Sequence, residues 1–328
     1  KQVQLLRIVA ADIAGALPLM QVSDHLTWLA EAITEEVVNQ AWAQMSERYG
    51  VPPEVALSGQ RGFAVVAYGK LGGIELGYGS DLDLVFVFDE GLAERSSDGA
   101  RPLEALRWFS RLAQRVLHWL ATTTQAGNLY DVDMRLRPDG AKGLPVSSLA
   151  SFADYQRERA WLWEHQALVR ACAVAGPGDL QSRFARVRGD VLETLRDPAA
   201  VFAEVARMRE RWRTELDRSS ADRFDLKQGR GGLVDIEFLL QALVLAHAHV
   251  HSGLATIGRT PQLIAALHAV GVLDGESQAV LLRTHQECLS RALDCSLDLR
   301  PRVIARDADL QAWTDATVAI LKRYGIWT

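Results

Sequence analysis

Along the first 48 residues apolar side chains recur at helical spacing, with Leu26, Leu29, Ile33, Val37 and Val38 on one face, and the spacing predicts a helical segment over 1–50. Pro52, Pro53 and Gly59 interrupt that pattern. The apolar run 63–68 then predicts a buried strand and the run 84–88 a second one. An amphipathic helix over 102–124 leads to a third strand over 128–136, where apolar and acidic positions alternate. The order strand, strand, helix, strand predicts a mixed α/β core at 51–147. From 148 the period is helical, with segments at 148–170, 180–195, 199–218, 233–251, 260–270, 275–299 and 307–323, and no β-like alternation returns. The predicted class is α+β, a mixed sheet with flanking helices followed by an all-helical bundle domain at 148–328. No internal repeat or low-complexity stretch interrupts it.

The chemistry concentrates in the strand regions. The stretch 77–89, GYGSDLDLVFVFD, enters an apolar strand through a glycine-rich turn and sets Asp81 and Asp83 two positions apart, hence on one strand face. Adjacent carboxylates repel, and beside a buried run they call for a divalent cation between them, Mg²⁺ or Mn²⁺ by default. The stretch 128–136, NLYDVDMRL, places Asp131 and Asp133 together in the same way, and Asp133 is the candidate third ligand of the cluster. Arg135 and Arg137 follow at once, cations suited to phosphate oxygens. Arg137 precedes Pro138 and has a buried structural role as its alternative. Lys142, Arg157, Arg159 and Arg170 extend the local basic character.

A D-x-D pair alone is more often a solvated strand edge than a site. The combination of a glycine turn, D-x-D running into five apolar residues, and a second D-x-D followed by R-L-R-P favours the catalytic reading. Other motifs rank lower. Gly69-Lys70 lacks the Ser or Thr and the upstream glycine of a P-loop, and Gly77-Tyr78-Gly79 enters a strand where a dinucleotide fingerprint would enter a helix. His247, His249 and His251 read as a solvated helix end. Gly231 and Gly232 ahead of a helix have two readings of similar weight: backbone N–H groups holding a phosphate beside Lys227 and Arg230, or a tight entry to a buried helix. Asp235 and Glu237 suit the first turn of that helix either way. Trp161 and Trp163 are expected to pack in the core, with an adenine-stacking role as the weaker alternative.

Composition narrows the class. The 328 residues suffice for two domains with real cores, and 48% hydrophobic with 23% charged is ordinary for a globular protein. A net charge of -5 argues against nucleic acid as partner, since nonspecific backbone affinity comes from clustered Lys and Arg. No apolar run is long enough to span a bilayer, so no membrane partner is expected. Cys172, Cys288 and Cys295 lack metal-ligand spacing, and a reducing cytoplasm is the expected compartment.

Six segments in order, GKLGG at 69–73, GSDLDLVF at 79–86, VDMRLRP at 132–138, FADYQ at 152–156, WEHQALVRA at 163–171 and FDLKQGRGGLVDIEF at 224–238, resemble the bifunctional glutamine synthetase adenylyltransferase/adenylyl-removing enzymes. Their catalytic halves belong to the DNA polymerase β-like nucleotidyltransferase superfamily. The resemblance covers almost the whole chain and implies a longer natural protein, extending at the N-terminus. It implies Asp81, Asp83 and Asp133 as catalytic metal ligands for two Mg²⁺ or Mn²⁺ ions, ATP as substrate, and nucleotide contacts at Gly69, Lys70, Gly79, Ser80, Arg135, Arg137, Lys227 and Arg230. It further implies glutamine synthetase as protein substrate and a PII-type signal protein as regulator. WEHQALVRA and DIEF resemble the C-terminal half, which moves AMP onto a tyrosine of glutamine synthetase with release of pyrophosphate. Met134 and GRGG resemble the N-terminal half, which removes AMP by phosphorolysis to ADP. The adenylylating half is the favoured reading. The alternatives are AMP removal, nucleotidyl transfer to RNA or a small molecule, and last a non-catalytic interaction domain.

Overall fold

A computed structural model of the chain describes residues 1–327. The contacts divide it into two compact units: Lys1–Leu76, Ser80–Trp161 and Arg170–Val191 form one, and Gly77–Gly79, Leu162–Val169 and the chain from Leu192 onward form the other.

The first unit opens with helices α1 (Gln2–Ile13), α2 (Leu19–Tyr49) and α3 (Pro53–Ser58). Strand β1 (Phe63–Ala67), the short helix α4 (Gly69–Gly72), strand β2 (Leu82–Phe88) and helix α5 (Ala105–Ala121) follow. Strands β3 (Val132–Asp133) and β4 (Val146–Ser148) lead into α6 (Leu149–Glu158). After α7 (Leu162–Val169), which belongs to the second unit, strand β5 (Cys172–Ala175) and helix α8 (Gly178–Leu192), up to Val191, complete the first. The sheet runs β3-β2-β1-β5, and β4 also pairs with β2. Strand β1 is antiparallel to β2 and β5, whereas β2 is parallel to β3 and β4.

Every residue of β1 is fully buried, so both faces of the sheet are covered there, which is why its sequence is a continuous apolar run with no alternation. Helix α5 does alternate: Trp108, Phe109, Leu112, Ala113, Val116 and Leu120 recur at three- and four-residue steps and bury one stripe. Phe109 stacks on Phe63 and Phe88 with ring centroids 6.1 and 4.8 Å away, and Trp108 meets Trp42 of α2 at 4.7 Å. The Trp108 indole N–H donates to the Gly50 carbonyl at 3.0 Å, so burial leaves that polar atom satisfied.

The second unit holds α7, α9 (Pro198–Leu216), β6 (Arg223–Asp225), α10 (Leu233–His247), α11 (Thr260–Ala269), α12 (Gly275–Leu297), β7 (Val303–Ala305) and α13 (Ala308–Arg323). Helix α10 is apolar nearly all round and packs against α7, α9, α11, α12 and α13, the behaviour of a central helix. Asp197, Asp274 and Asp307 cap α9, α12 and α13 by accepting backbone N–H groups of their first turns.

The α+β class expected from the sequence is the one observed, with four corrections of detail. Strands do return after 148: β5 joins the sheet edge, and β6 pairs with β7 inside the otherwise helical second unit. Each has only three or four residues, too few to display a period. The strand expected over 128–136 shortens to Val132–Asp133, because the Leu129 and Tyr130 N–H groups both donate to the Leu120 carbonyl at the end of α5 and a turn closes directly after Asp133. Segment 148–170 splits into α6 and α7. Trp161, between them, is 71% exposed and is not a core residue. By contact, α1 and α2 group with the sheet, together with part of the chain after 148.

Candidate active site

The acids are positioned by β2 and β3. Leu82 N–H donates to the Asp131 carbonyl at 2.9 Å and opens a parallel ladder in which Leu82 faces Val132 and Asp83 faces Asp133. Residues in register on neighbouring strands share a face at the strand spacing of about 4.8 Å, so the Asp83 and Asp133 side chains leave the sheet together. Asp83 and Asp133 are half-buried, while Asp81 lies exposed just before β2 begins. Asp131 is exposed as well and accepts a bond from the Asn128 amide at 2.7 Å.

The turn after β1 presses on this pair. Tyr68 N–H donates to the Asp83 carbonyl at 2.9 Å, and Gly69 follows with φ +56°. A Cβ at Gly69 would stand 2.7 Å from Asp83 Oδ2, so glycine is required both by the left-handed backbone and by the approach of the carboxylate. Gly79 has φ +66° with open space around it, and Ser80 is buried. Lys70 is half-buried, and its carbonyl accepts the Glu75 N–H at 2.8 Å.

Asp133 is engaged by Arg135. Its Oδ1 accepts the Arg135 backbone N–H at 2.8 Å, and its Oδ2 accepts the guanidinium Nε at 2.6 Å. The Arg135 side-chain bond is the main cause holding the Asp133 carboxyl below the usual carboxylate range, against a smaller opposing effect of burial. The same bond raises Arg135, with weaker attraction from Asp83 and Asp81. One exposed guanidinium therefore lies in the field of all three acids.

Arg137 behaves differently. Its guanidinium donates to the carbonyls of Met134 at 2.7 Å, Ala141 at 3.1 Å and Gly143 at 3.2 Å, tying loop 134–143 to itself in the manner of its structural alternative. Arg159 pairs with Asp139 at 3.5 Å, Arg157 lies near Asp154 and Asp190, and Arg170 is buried against Glu75 at 3.0 Å. The basic character following Asp133 is thus largely structural, with Arg135 the cation beside the acids.

Lys227 and Arg230 lie on the loop before α10 in the second unit. Both are exposed, and the Arg230 guanidinium sits 5.7 Å from the Trp327 ring. Gly231 N–H donates to Asp235 Oδ2 at 2.6 Å and Gly232 N–H to the Gly229 carbonyl at 2.9 Å, while Leu233 and Val234 donate to the carbonyls of Leu226 and Lys227. A Cβ would meet the Phe224 ring at Gly229 and the Thr314 carbonyl at Gly231. These N–H groups are engaged within the protein, and the glycines make the tight entry to a buried helix.

Sequence reasoning missed three interior ion pairs, two of them sharing one carboxylate. Asp235, fully buried, accepts from Arg209 at 2.5 Å and from Arg213 at 3.0 Å, so it is an anchor between α9 and α10 rather than a simple first-turn acid. Glu75 pairs with Arg170 across 95 positions of sequence. The available signal was charge at positions flanked by apolar neighbours, Ile74 and Leu76 for Glu75, Val169 and Ala171 for Arg170.

Among the described residues no group of three His, Cys, Asp or Glu side chains is gathered as a metal site. The donor set nonetheless fits a hard divalent cation: carboxylates in register on two strands and a guanidinium already accommodated beside them as a positive charge. Asp81, Asp83 and Asp133 are the residues that would hold it.

A mixed sheet carrying these acids at neighbouring strands, followed by a helical region, is consistent with a nucleotidyltransferase-like domain. Residues 1–187 match the family model of glutamate-ammonia ligase adenylyltransferase, and the chain belongs to that family. Residues 200–301 match the model of GlnD PII-uridylyltransferase. Similar curated proteins include a bifunctional glutamine synthetase adenylyltransferase/adenylyl-removing enzyme of Xanthomonas campestris pv. campestris (strain B100), 52% identical over 91% of this chain and 31% of the relative. A protein of the same name from Shewanella oneidensis is 54% identical over 77% of this chain and 27% of the relative. The chain thus spans less than a third of the length of these two relatives.

Proposed function

We propose that this chain carries the adenylylating activity, moving AMP from ATP to a tyrosine hydroxyl of glutamine synthetase in the cytoplasm. The register of Asp83 with Asp133, with Asp81 two residues upstream of Asp83 and Gly69 pressed against the Asp83 carboxylate, supports nucleotidyl transfer, and the WEHQALVRA and DIEF segments at 163–171 and 235–238 favour the adenylylating half. A bound Mg²⁺ or Mn²⁺ would supply charge neutralisation of the triphosphate and a lowered pKa for the attacking hydroxyl. Asp81, Asp83 and Asp133 would hold such an ion, and Arg135, on an exposed side chain, is placed to exchange its contact with Asp133 for a phosphate oxygen. Gly79, with open space where a side chain would stand, leaves the backbone accessible to the terminal phosphates together with Ser80. The phenolic oxygen then bonds the α-phosphorus as the bond to the bridging oxygen breaks. Pyrophosphate leaves with that electron pair, and the phenolic proton passes to solvent. A PII-type protein as regulator of the full-length enzyme is supported by the match of 200–301 to a PII-modifying family.

AMP removal by phosphorolysis is the second reading, motivated by GRGG. Those glycines pack at Phe224 and Thr314, a packing role compatible with either half, and Met134 resembles the removing half as well. The test is direction. Given glutamine synthetase and ATP labelled at the α-phosphate, the protein is expected to place label on tyrosine. Given adenylylated glutamine synthetase and inorganic phosphate, it is expected to release ADP slowly or not at all. Efficient phosphate-dependent removal without forward transfer would assign the other half.

A further inference from the structure

We propose that the buried Glu75–Arg170 ion pair is a positioning device for the turn at 69–73 and, through it, for the Asp83 carboxylate; the proposal rests on the reading of Asp83 as a cation ligand. Both side chains are about 95% buried and meet at 3.0 Å. Glu75 is tied to the turn through its own backbone, by the N–H bond to the Lys70 carbonyl at 2.8 Å. Arg170 closes over the turn from the other side. A Cβ at Gly72 would meet the Arg170 carbonyl at 2.1 Å and the Ala67 carbonyl at 2.5 Å, and a Cβ at Gly73 would meet the Arg170 guanidinium at 2.4 Å. The turn is therefore clamped between strand β1, the chain just before β5, and a guanidinium held by Glu75. Its far end is Gly69, whose missing Cβ leaves the space beside Asp83 Oδ2. A shift of a few tenths of an ångström anywhere in so close a stack must be taken up by its softest member, and interior packing leaves little slack elsewhere. The Asp83 carboxylate lies directly against Gly69 at the end of that stack, so a displacement of the turn changes the room beside Oδ2.

The pair is a charged one in an apolar interior, where breaking it leaves an uncompensated charge. Its cost is rational if the return is geometry, since ligand groups work only when held within a fraction of an ångström. Neither residue touches the reacting atoms in this view; both act through the turn.

The experiment uses the whole chain and Mn²⁺ binding followed by electron paramagnetic resonance of the free ion. Wild type, Asp83→Asn, Glu75→Gln and Gly73→Ala are compared. Gly73 has φ −89°, so alanine is acceptable to the backbone and acts by displacing the guanidinium. Expected are saturable binding by wild type, its loss in Asp83→Asn, and a midpoint raised about tenfold in both Glu75→Gln and Gly73→Ala, with Arg170→Lys intermediate. In metal-free protein, hydrogen exchange at Gly72, Gly73 and Glu75 should speed up in the same variants while exchange in β1 stays protected. If Glu75→Gln does not fold, Gly73→Ala decides alone. Wild-type Mn²⁺ midpoints in the folded clamp variants, with Asp83→Asn defective, would overturn the positioning role and leave the Asp83 assignment standing. Binding that survives Asp83→Asn would overturn both.

Discussion

Replacing Asp235 by asparagine removes the one negative charge that two buried guanidiniums share. Arg209 is 2% exposed and Arg213 7%, and both donate to Asp235 Oδ1, while Oδ2 holds Gly231 N–H. An asparagine in that place would keep the volume and one acceptor, but its amide would face Arg209 or the Gly231 N–H with a donor. Arg209 keeps its bonds to Gln228 and Arg213 its contact with Glu210, so part of the charge remains compensated. Breaking a buried pair of this kind costs about 3–5 kcal/mol. With a urea m-value of about 2 kcal/mol/M, that lowers the unfolding midpoint of the second unit by roughly 1.5–2.5 M. The probe is Trp212, which meets Phe238 of α10 at 5.4 Å, followed by fluorine NMR of 5-fluorotryptophan-labelled protein so that its signal is separate from the other tryptophans. The double variant Asp235→Asn with Arg209→Met should recover part of the loss, because the guanidinium left without a carboxylate partner is gone. A midpoint within about 0.3 M of wild type for the single variant, at an unchanged m-value, would refute the anchoring role.

Two further outcomes are expected. AMP transfer should vanish in chelator and return with Mg²⁺ or Mn²⁺ but not to the same level with Ca²⁺, whose larger, irregular coordination suits in-line transfer poorly; activity in a metal-free preparation would contradict the carboxylate reading. The lowered Asp133 pKa means that its charged form is stabilised on folding, a contribution present above the unfolded value of about 4 and lost as pH falls through the folded value. Carboxyl NMR should therefore show the Asp133 titration move upward in Arg135→Gln, and no movement would remove Arg135 as the cause.

Much of the sheet was legible in the sequence because burial on both faces writes itself as an uninterrupted apolar run, as at 63–67 and 84–88. The face of α5 was legible for the opposite reason, one wet side and one dry side. Strand β3 misled, since alternation at 128–136 has local causes: Leu129 and Tyr130 bind back to α5, and Arg135 folds onto Asp133. Strand β5 was hidden by its length and by its helical neighbours. Asp81, Asp83 and Asp133 could be proposed from spacing as candidate ligands, but which of the arginines after them faces the acids could not be read there. Arg135 and Arg137 are two residues apart, and only the closure of loop 134–143 by backbone carbonyls turns one outward and the other in. The Glu75–Arg170 and Arg209–Asp235 pairs join distant parts of the chain and leave no local period.

The most direct measurement is the rate of label transfer from α-labelled ATP to glutamine synthetase for wild type, Asp83→Asn, Asp133→Asn and Asp131→Asn, at saturating Mg²⁺. Asp83→Asn and Asp133→Asn remove charge from the in-register pair without changing side-chain volume, and each should slow transfer on the order of a thousandfold or more. Asp131 is exposed and bonded to Asn128, so Asp131→Asn should stay close to wild type. Near wild-type turnover in folded Asp83→Asn, or a loss in Asp131→Asn as deep as in Asp133→Asn, would contradict the assignment of the site.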